Sequence, residues 1–283
     1  MTRVLHNSGE LASQIVDDCK ICLAPDYSGC SIATILELIR QERRNLHIIG
    51  VPQMGLQADL LIGAGCVKSI DAASITMGEF GQAPRFVEAF TQGTISMQDS
   101  TCPVIHAGLQ ASEKGIPFMP LRGILGSDLV RHRDDWKVID NPFRGSDTED
   151  PILLVPAITP DIALFHAPLA DRDGNVWIGK RRELMLMAHA SRQVIVSVEK
   201  VTSENLLADT DKAAGVIPAL YIDALAEVPG AADPVGLFGC YEGDQQKLGD
   251  YATAARTQDG FDQHLRNWLG DDPNDSRGAS ANG

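Results

Sequence analysis

Four glycine-rich turns carry the residues best suited to chemistry in this sequence: Ser28-Gly29-Cys30, Gly63-Ala64-Gly65, Arg122-Gly123 and Gly126-Ser127. Turns of this kind bring backbone amides close to a ligand, and such amides favour anions and acyl oxygens. Arg122 adds a guanidinium that can grip a carboxylate with two parallel hydrogen bonds. The same glycines also serve simply as tight turns, and the residues alone leave both readings open.

Other familiar chemistries find no matching pattern. "YSGCS" and "GILGSD" lack the G-x-S-x-G elbow of an α/β-hydrolase nucleophile. Gly63 and Gly65 form a fragment of a dinucleotide fingerprint without its third glycine or its following helix. Cys19-x-x-Cys22 has no second pair or histidines at matching spacing, so no metal site is expected and both cysteines read as core. His166 and His189 read as packed or capping histidines.

The elements that must position these turns follow a βαβ rhythm. Residues 7–19 read as a first helix, "KICLAP" as a buried strand, "IATILELIRQERR" as an amphipathic helix and "NLHIIGV" as a strand. "DLLIGAGCVKSIDA" is expected to give one or two short strands, with Gly63 and Gly65 following the first. "APRFVEAFTQGT" and "CPVIHAGLQASEKG" read as helices ended by Gly93 and Gly115. "IPFMPL", "PILLVPA", "DIALFHA" and "QVIVSVEKV" read as strands, and "RRELMLMAHASR" as a helix. Residues 131–150 are expected to be a polar excursion with a short strand, and the sheet signal fades after about residue 205. In "ALFHAPLADRDGNVWIG" the Asp173-Gly174-Asn175 triplet turns one strand into a second, short one.

These readings predict an α/β protein with an open, largely parallel sheet flanked by helices. Residues 1–270 would form one domain, and the polar tail 271–283 would be disordered. The net charge of −14 argues against a nucleic-acid partner. No apolar run approaches the ~18 residues of a membrane span. The start of the chain lacks a secretory apolar core. A cytoplasmic protein with no membrane association is therefore expected.

Three segments resemble, in order, the α subunits of family I CoA-transferases of the glutaconate and 3-oxoacid type. They are "GAGCVKSIDAASITMGEFGQAPRFVEAFTQGTISM", "CPVIHAGLQASEKGIPFMPLRGILGSDL", and "DIALFHAPLADRDGNVWIG" followed by "VIVSVEKV". The third is the most specific, with H-A-x-x-A-D-x-x-G-N between two strands. The resemblance implies a CoA-transferase-like fold, with the D-x-x-G-N turn a hallmark of the scaffold. It implies a reaction in which a glutamate carboxylate attacks an acyl-CoA to give an acyl-glutamyl anhydride. The released CoA thiolate then forms a glutamyl-CoA thioester, and an acceptor acid reverses the sequence. Coenzyme A would act as substrate, and no metal would be needed.

In that family the glutamate normally sits in the β subunit. The resemblance therefore implies a β partner, in a heterodimer or heterotetramer. This chain would shape the acyl pocket and supply oxyanion donors through Ser28, Gly29, Gly63, Gly65, Phe80, Arg122 and Ser127. Glu79 in "GEFG" corresponds to a Gly-Glu that is not the nucleophile in the resembling subunits, and Glu199 reads as structural.

The chain is also similar to the α subunit of bacterial hydrolases that open the last ring of steroid-derived CoA thioesters. Those carry a working glutamate six residues before the Gly-Leu-Gln, and here that position is Cys102. The arginine that pairs with it there is retained as Arg122. A thiol cannot serve as the same base, but at a helix N-terminus a thiolate can act as a nucleophile. Cys102 is thus the candidate catalytic residue of this chain, against the plainer reading of a buried cysteine.

Overall fold

Apolar strands with both faces covered need two helical layers, and this arrangement is what the computed structural model contains. It describes residues 2–145 and 148–270. The tail 271–283 lies outside the described residues.

The strands are β1 (Arg3–Leu5), β2 (Lys20–Leu23), β3 (Leu46–Gly50), β4 (Gln53–Met54), β5 (Val67–Ala72), β6 (Ser74–Ile75), β7 (Ser96–Asp99), β8 (Phe118–Leu121), β9 (Lys137–Asp140), β10 (Pro151–Pro156), β11 (Ile162–Asp171), β12 (Val176–Trp177), β13 (Gln193–Thr202), β14 (Val216–Ile217) and β15 (Ala224–Glu227). The helices are α1 (Ser8–Ala12), α2 (Ile32–Arg40), α3 (Leu56–Gly63), α4 (Pro84–Gln92), α5 (Cys102–Glu113), α6 (Leu129–His132), α7 (Arg182–Ala190), α8 (Gln245–Ala254) and α9 (Gln258–Leu269).

The central sheet runs β1-β15-β13-β11-β2-β3-β5-β7, and every neighbouring pair along it is parallel. Its strands alternate between two cores. Ile21 and Leu23 enter one, with Ile35 and Leu38 of α2. Cys22 enters the other, with Leu109 of α5 and Leu184 and Met187 of α7. Strands buried on both faces read as nearly continuous apolar runs, which is why "KICL" and "VIVSV" were legible.

The chain builds outward from β2 through β3 and β5 to β7, then returns to lay β11 on the other side of β2. The connections therefore diverge between β2 and β11. Such a switch point opens a crevice at the carboxyl ends of the two strands, where ligands bind in open α/β sheets.

Two expectations are corrected and one is extended. The strand expected around "DLLIGAG" is the helix α3, whose residues Leu56 to Ile62 are all buried. A helix buried on every side, with Gln57 and Asp59 buried among its apolar residues, has no amphipathic period, so the pattern cannot separate it from a buried strand. The short strand expected within residues 131–150 is β9, and it joins β8 and β10 in a separate antiparallel sheet, β8-β10-β9, packed on α5 through Val104, Trp136, Leu153 and Val155. After residue 205 the sheet continues: β15, too short to show a pattern, lies between β13 and β1, and α8 and α9 close one face.

Candidate active site

The loop after β2 fills the switch point. Gly29 takes φ +105, and its carbonyl accepts the His166 N–H of β11 at 2.8 Å. A Cβ at Gly29 would fall 2.1 Å from the His166 carbonyl oxygen, so only glycine fits this approach. Before it, the half-buried Asp26 carboxylate accepts the Leu56 N–H at the start of α3 at 3.0 Å. Burial pushes Asp26 up to about 6 against the hydrogen bonds it accepts. The loop is thus pinned to β11 on one side and α3 on the other.

Three helix beginnings meet this loop. The Ser28–Ser31 turn leads into α2, α5 starts at Cys102, and α7 starts beside Arg181. Buried Ser28 donates its hydroxyl to the Glu183 carboxylate in the first turn of α7. Tyr27, half exposed, has its hydroxyl pushed up by partial burial and by Glu183, with Arg181 pulling the other way and Cys102 adding to the rise. The Arg181 guanidinium carbon lies 5.4 Å from the Tyr27 ring centroid. His106, one turn after Cys102 on α5, is held below the ordinary imidazole value by burial, against an upward pull from Glu183.

Glu199, at the carboxyl end of β13, organises the neighbouring strand ends. Its carboxylate accepts from Tyr241 at 2.8 Å and from the Gly230 N–H, and contacts His166 Nε2 at 2.8 Å. Burial opposes its ionisation, but these contacts more than offset that and hold the carboxyl below its usual range. His166 Nδ1 meets Ser197 at 2.8 Å, and Ser197 meets Ser31 at 2.7 Å. A buried polar chain therefore runs from the start of α2 to Tyr241.

The structure brings some of the expected site residues together and separates others. Ser28, Gly29 and Cys102 share the carboxyl edge of the sheet. Phe80 lies at that edge too, with Tyr27 and Asp26 on a recess of about 220 Å³ that Glu79 also lines. Gly63 and Gly65 lie at the opposite, amino edge: Gly65 precedes β5, and a Cβ at Gly63 would meet the Phe261 ring of α9 at 2.5 Å. Arg122 follows β8 on the small sheet, exposed and closed bidentately on Asp150, Nε donating to Oδ1 at 3.0 Å and Nη2 to Oδ2 at 2.6 Å. Ser127 accepts the Leu129 N–H at 3.2 Å and so caps the short helix α6.

Cys102 is exposed, whereas Cys19 and Cys22 are buried and free, as the core reading expects. Tyr27, Glu183, Arg181 and His106 were not singled out in the sequence. They meet only because α5 and α7 pack together against one face of the sheet. Among the described residues no helix is long and apolar enough to cross a membrane. Nor is there among them a group of three or more side chains suited to a metal ion.

A Coenzyme A transferase family model matches residues 8–227 of the chain. The chain is 30% identical over 260 residues to the A subunit of glutaconate CoA-transferase from Acidaminococcus fermentans, covering 84% of this chain and 78% of that one. The crystal structure of glutaconate coenzyme A-transferase from the same organism superposes with a TM-score of 0.85 at 26% identity, over 95% of this chain and 89% of that one. The A subunit of 3-oxoadipate CoA-transferase from Pseudomonas knackmussii is 30% identical over 241 residues, 81% of this chain and 82% of its own. The cholesterol ring-cleaving hydrolase IpdA subunit of Mycobacterium tuberculosis is 28% identical over 248 residues, 84% and 83% of the two chains.

Proposed function

The chain belongs to the coenzyme A transferase family, and from that premise we propose that it is the α subunit of a heteromeric CoA-transferase. The enzyme moves coenzyme A from an acyl-CoA to a carboxylic acid. The observation that carries the reading is the lengthwise match to the corresponding subunits of two such enzymes, with a switch-point crevice in this chain to receive the substrate.

In this reading the nucleophilic glutamate comes from the partner chain, and its carboxylate attacks the thioester carbonyl. The C–S bond breaks and CoA leaves as thiolate. The thiolate then attacks the glutamyl carbonyl of the anhydride, its C–O bond breaks, and the donor's carboxylate departs. The glutamyl-CoA thioester passes CoA to the acceptor carboxylate by the same steps in reverse. This chain's part is to hold the acyl group. The amides from Gly29 to Ser31, at the start of α2, serve the developing oxyanion, the Ser28 N–H being donated to the Pro25 carbonyl. Glu183 fixes the Ser28 hydroxyl, and Gly29 keeps the backbone close to β11. Phe80 adds an apolar wall. Arg122 and Ser127 serve from the small sheet, Arg122 after exchanging Asp150 for a substrate carboxylate. Gly63 and Gly65 act indirectly, by seating α3 against α9 and β5.

The test uses this chain co-purified with its β partner. The complex is incubated with an acyl-CoA and no acceptor acid, treated with borohydride, and mapped by peptide mass spectrometry. A glutamate of the partner reduced to its alcohol supports the reading, as does formation of a new acyl-CoA that waits for added acid. The similarity to a ring-cleaving hydrolase favours a second reading, hydrolysis or ring opening of a cyclic CoA thioester. Product formation without any acid and without a trapped glutamate would favour that reading instead.

A further inference from the structure

Arg181 stands at the start of α7 with a side chain the fold holds but does not satisfy. Its guanidinium carbon lies 5.4 Å from the centroid of the Tyr27 ring and 5.6 Å from that of Phe238. Its Nε is buried and has no hydrogen-bond partner among the described residues. The Lys180 ammonium lies 4.9 Å from the same Phe238 ring. Two cations thus gather on one aromatic pair in a chain whose net charge is −14.

Arg181, Tyr27 and Phe238 line a recess of about 500 Å³ with Gly236, Gly239 and Cys240, and among the described residues Glu242 is its one acidic lining residue. Gly236 and Gly239 hold φ of +82 and +77. A Cβ at Gly236 would meet the Gly243 backbone nitrogen at 2.5 Å, so this loop is folded tightly on itself behind the opening. The nearest acidic neighbour on α7, Glu183, has its carboxylate engaged by Ser28. Aromatic rings hold a guanidinium through its face and leave its N–H edge for a planar anion. A buried N–H without an acceptor is costly. Occupation by a ligand's oxygens removes that cost.

We propose that Arg181, held against Tyr27 and Phe238, is an anion receptor distinct from Arg122 and pairs with two anionic oxygens of the acyl-CoA. The chemistry is that of a carboxylate or a phosphoryl group. The first would come from a second carboxylate at the far end of the acyl chain, the second from the CoA moiety. The inference rests on the CoA-transferase reading and names the part of the substrate that this chain recognises.

The experiment measures binding by calorimetry to the complex of this chain with its β partner. The probes are adipoyl-CoA, hexanoyl-CoA and free CoA, and the variants are Arg181→Met and Arg181→Lys. A carboxylate ligand predicts that Arg181→Met weakens adipoyl-CoA by about tenfold or more and hexanoyl-CoA by less than about twofold. A phosphoryl ligand predicts similar weakening, about tenfold, of all three probes. Arg181→Lys keeps the charge but loses the planar fork, and recovers only part of the affinity. It also serves if Arg181→Met fails to fold.

Affinities within about twofold of wild type for every probe, with an unchanged Tm, overturn the proposal. So does a wild-type complex that binds none of the three. A wild-type complex that binds them with Arg181 dependence yet transfers CoA to no acid sinks the transferase reading and leaves this inference standing. One that transfers CoA regardless of residue 181 does the reverse.

Discussion

Asp171 and Asn175 are tied twice: one oxygen of the Asp171 carboxylate accepts the Asn175 backbone N–H at 2.9 Å, and the other its side-chain amide at 2.8 Å. The same carboxylate accepts the Asp173 N–H at 3.0 Å and the Leu206 N–H at 3.1 Å. Asn175 in turn accepts the Ala219 N–H at 2.8 Å. The D-x-x-G-N turn is therefore a buried clasp. It closes the β11–β12 hairpin and fastens the two later segments to it.

Asp171→Ala removes the acceptor of four N–H donors in a site where Asp171 is 2% exposed. The expected loss of stability is on the order of 3–5 kcal/mol, from stranded buried donors. Urea unfolding of the complex measures it. The affinity for CoA of the fraction that folds should stay close to wild type. A loss below about 1 kcal/mol would show that water replaces the clasp.

Gly29→Ala and Gly65→Ala separate the two edges of the sheet. At Gly29 the added methyl meets the His166 carbonyl at 2.1 Å, while at Gly65 it meets nothing within 4 Å. Both positions have positive φ, so both variants lose about 1 kcal/mol from backbone strain. Only Gly29→Ala must also move the loop that carries Tyr27 and Ser28. Its kcat should fall by about a hundredfold or more, whereas Gly65→Ala should turn over within about threefold of wild type. Equal losses in the two would place the chemistry away from the β2–β11 crevice.

This contrast also marks what was legible in the sequence. Ser28-Gly29 and Gly63-Ala64-Gly65 look alike as strings. What distinguishes them is the element before each: a strand ending at Leu23 in one case, a helix ending at Gly63 in the other. Because α3 is buried all round, its period was invisible, and the second turn was expected at the wrong end of the sheet. The parallel sheet itself was legible because β2, β3, β11 and β13 are long apolar runs. Tyr27, Arg181 and Glu183 were not, since they converge only when residues some 150 positions apart in sequence meet across a helix–sheet interface. No local pattern encodes that meeting.

Cys102 offers a direct test of where the nucleophile resides. The thiol is exposed at the first turn of α5. If the partner's glutamate carries the acyl group, Cys102→Ala should lower kcat by less than about tenfold, the range of a lost packing or polar contact. A fall of about a thousandfold or more, matched by the loss when Cys102 is alkylated in the wild type, would make this chain's thiol the nucleophile.

The pH dependence of stability has a contribution of known sign from Asp59. This carboxylate accepts the Phe86 N–H at 2.8 Å and the Tyr251 hydroxyl at 2.8 Å, both in the core. Burial pushes it up to about 6 from an ordinary value of 3.8, in spite of those hydrogen bonds. The folded state thus holds its proton more tightly than the unfolded chain does. Its favourable contribution is complete below the unfolded value and is lost as the pH rises through the folded one. Asp59→Asn keeps a carbonyl for Phe86 and an amide to meet the tyrosine oxygen, and removes the buried charge. The variant should therefore be more stable than wild type at about pH 8, by roughly 2–3 kcal/mol, and this advantage should shrink by about 1 kcal/mol at about pH 5. Unfolding of both proteins at the two pH values measures the difference. An advantage that grows on acidification would mean that Asp59 is held below its ordinary value, with Arg85 outweighing burial.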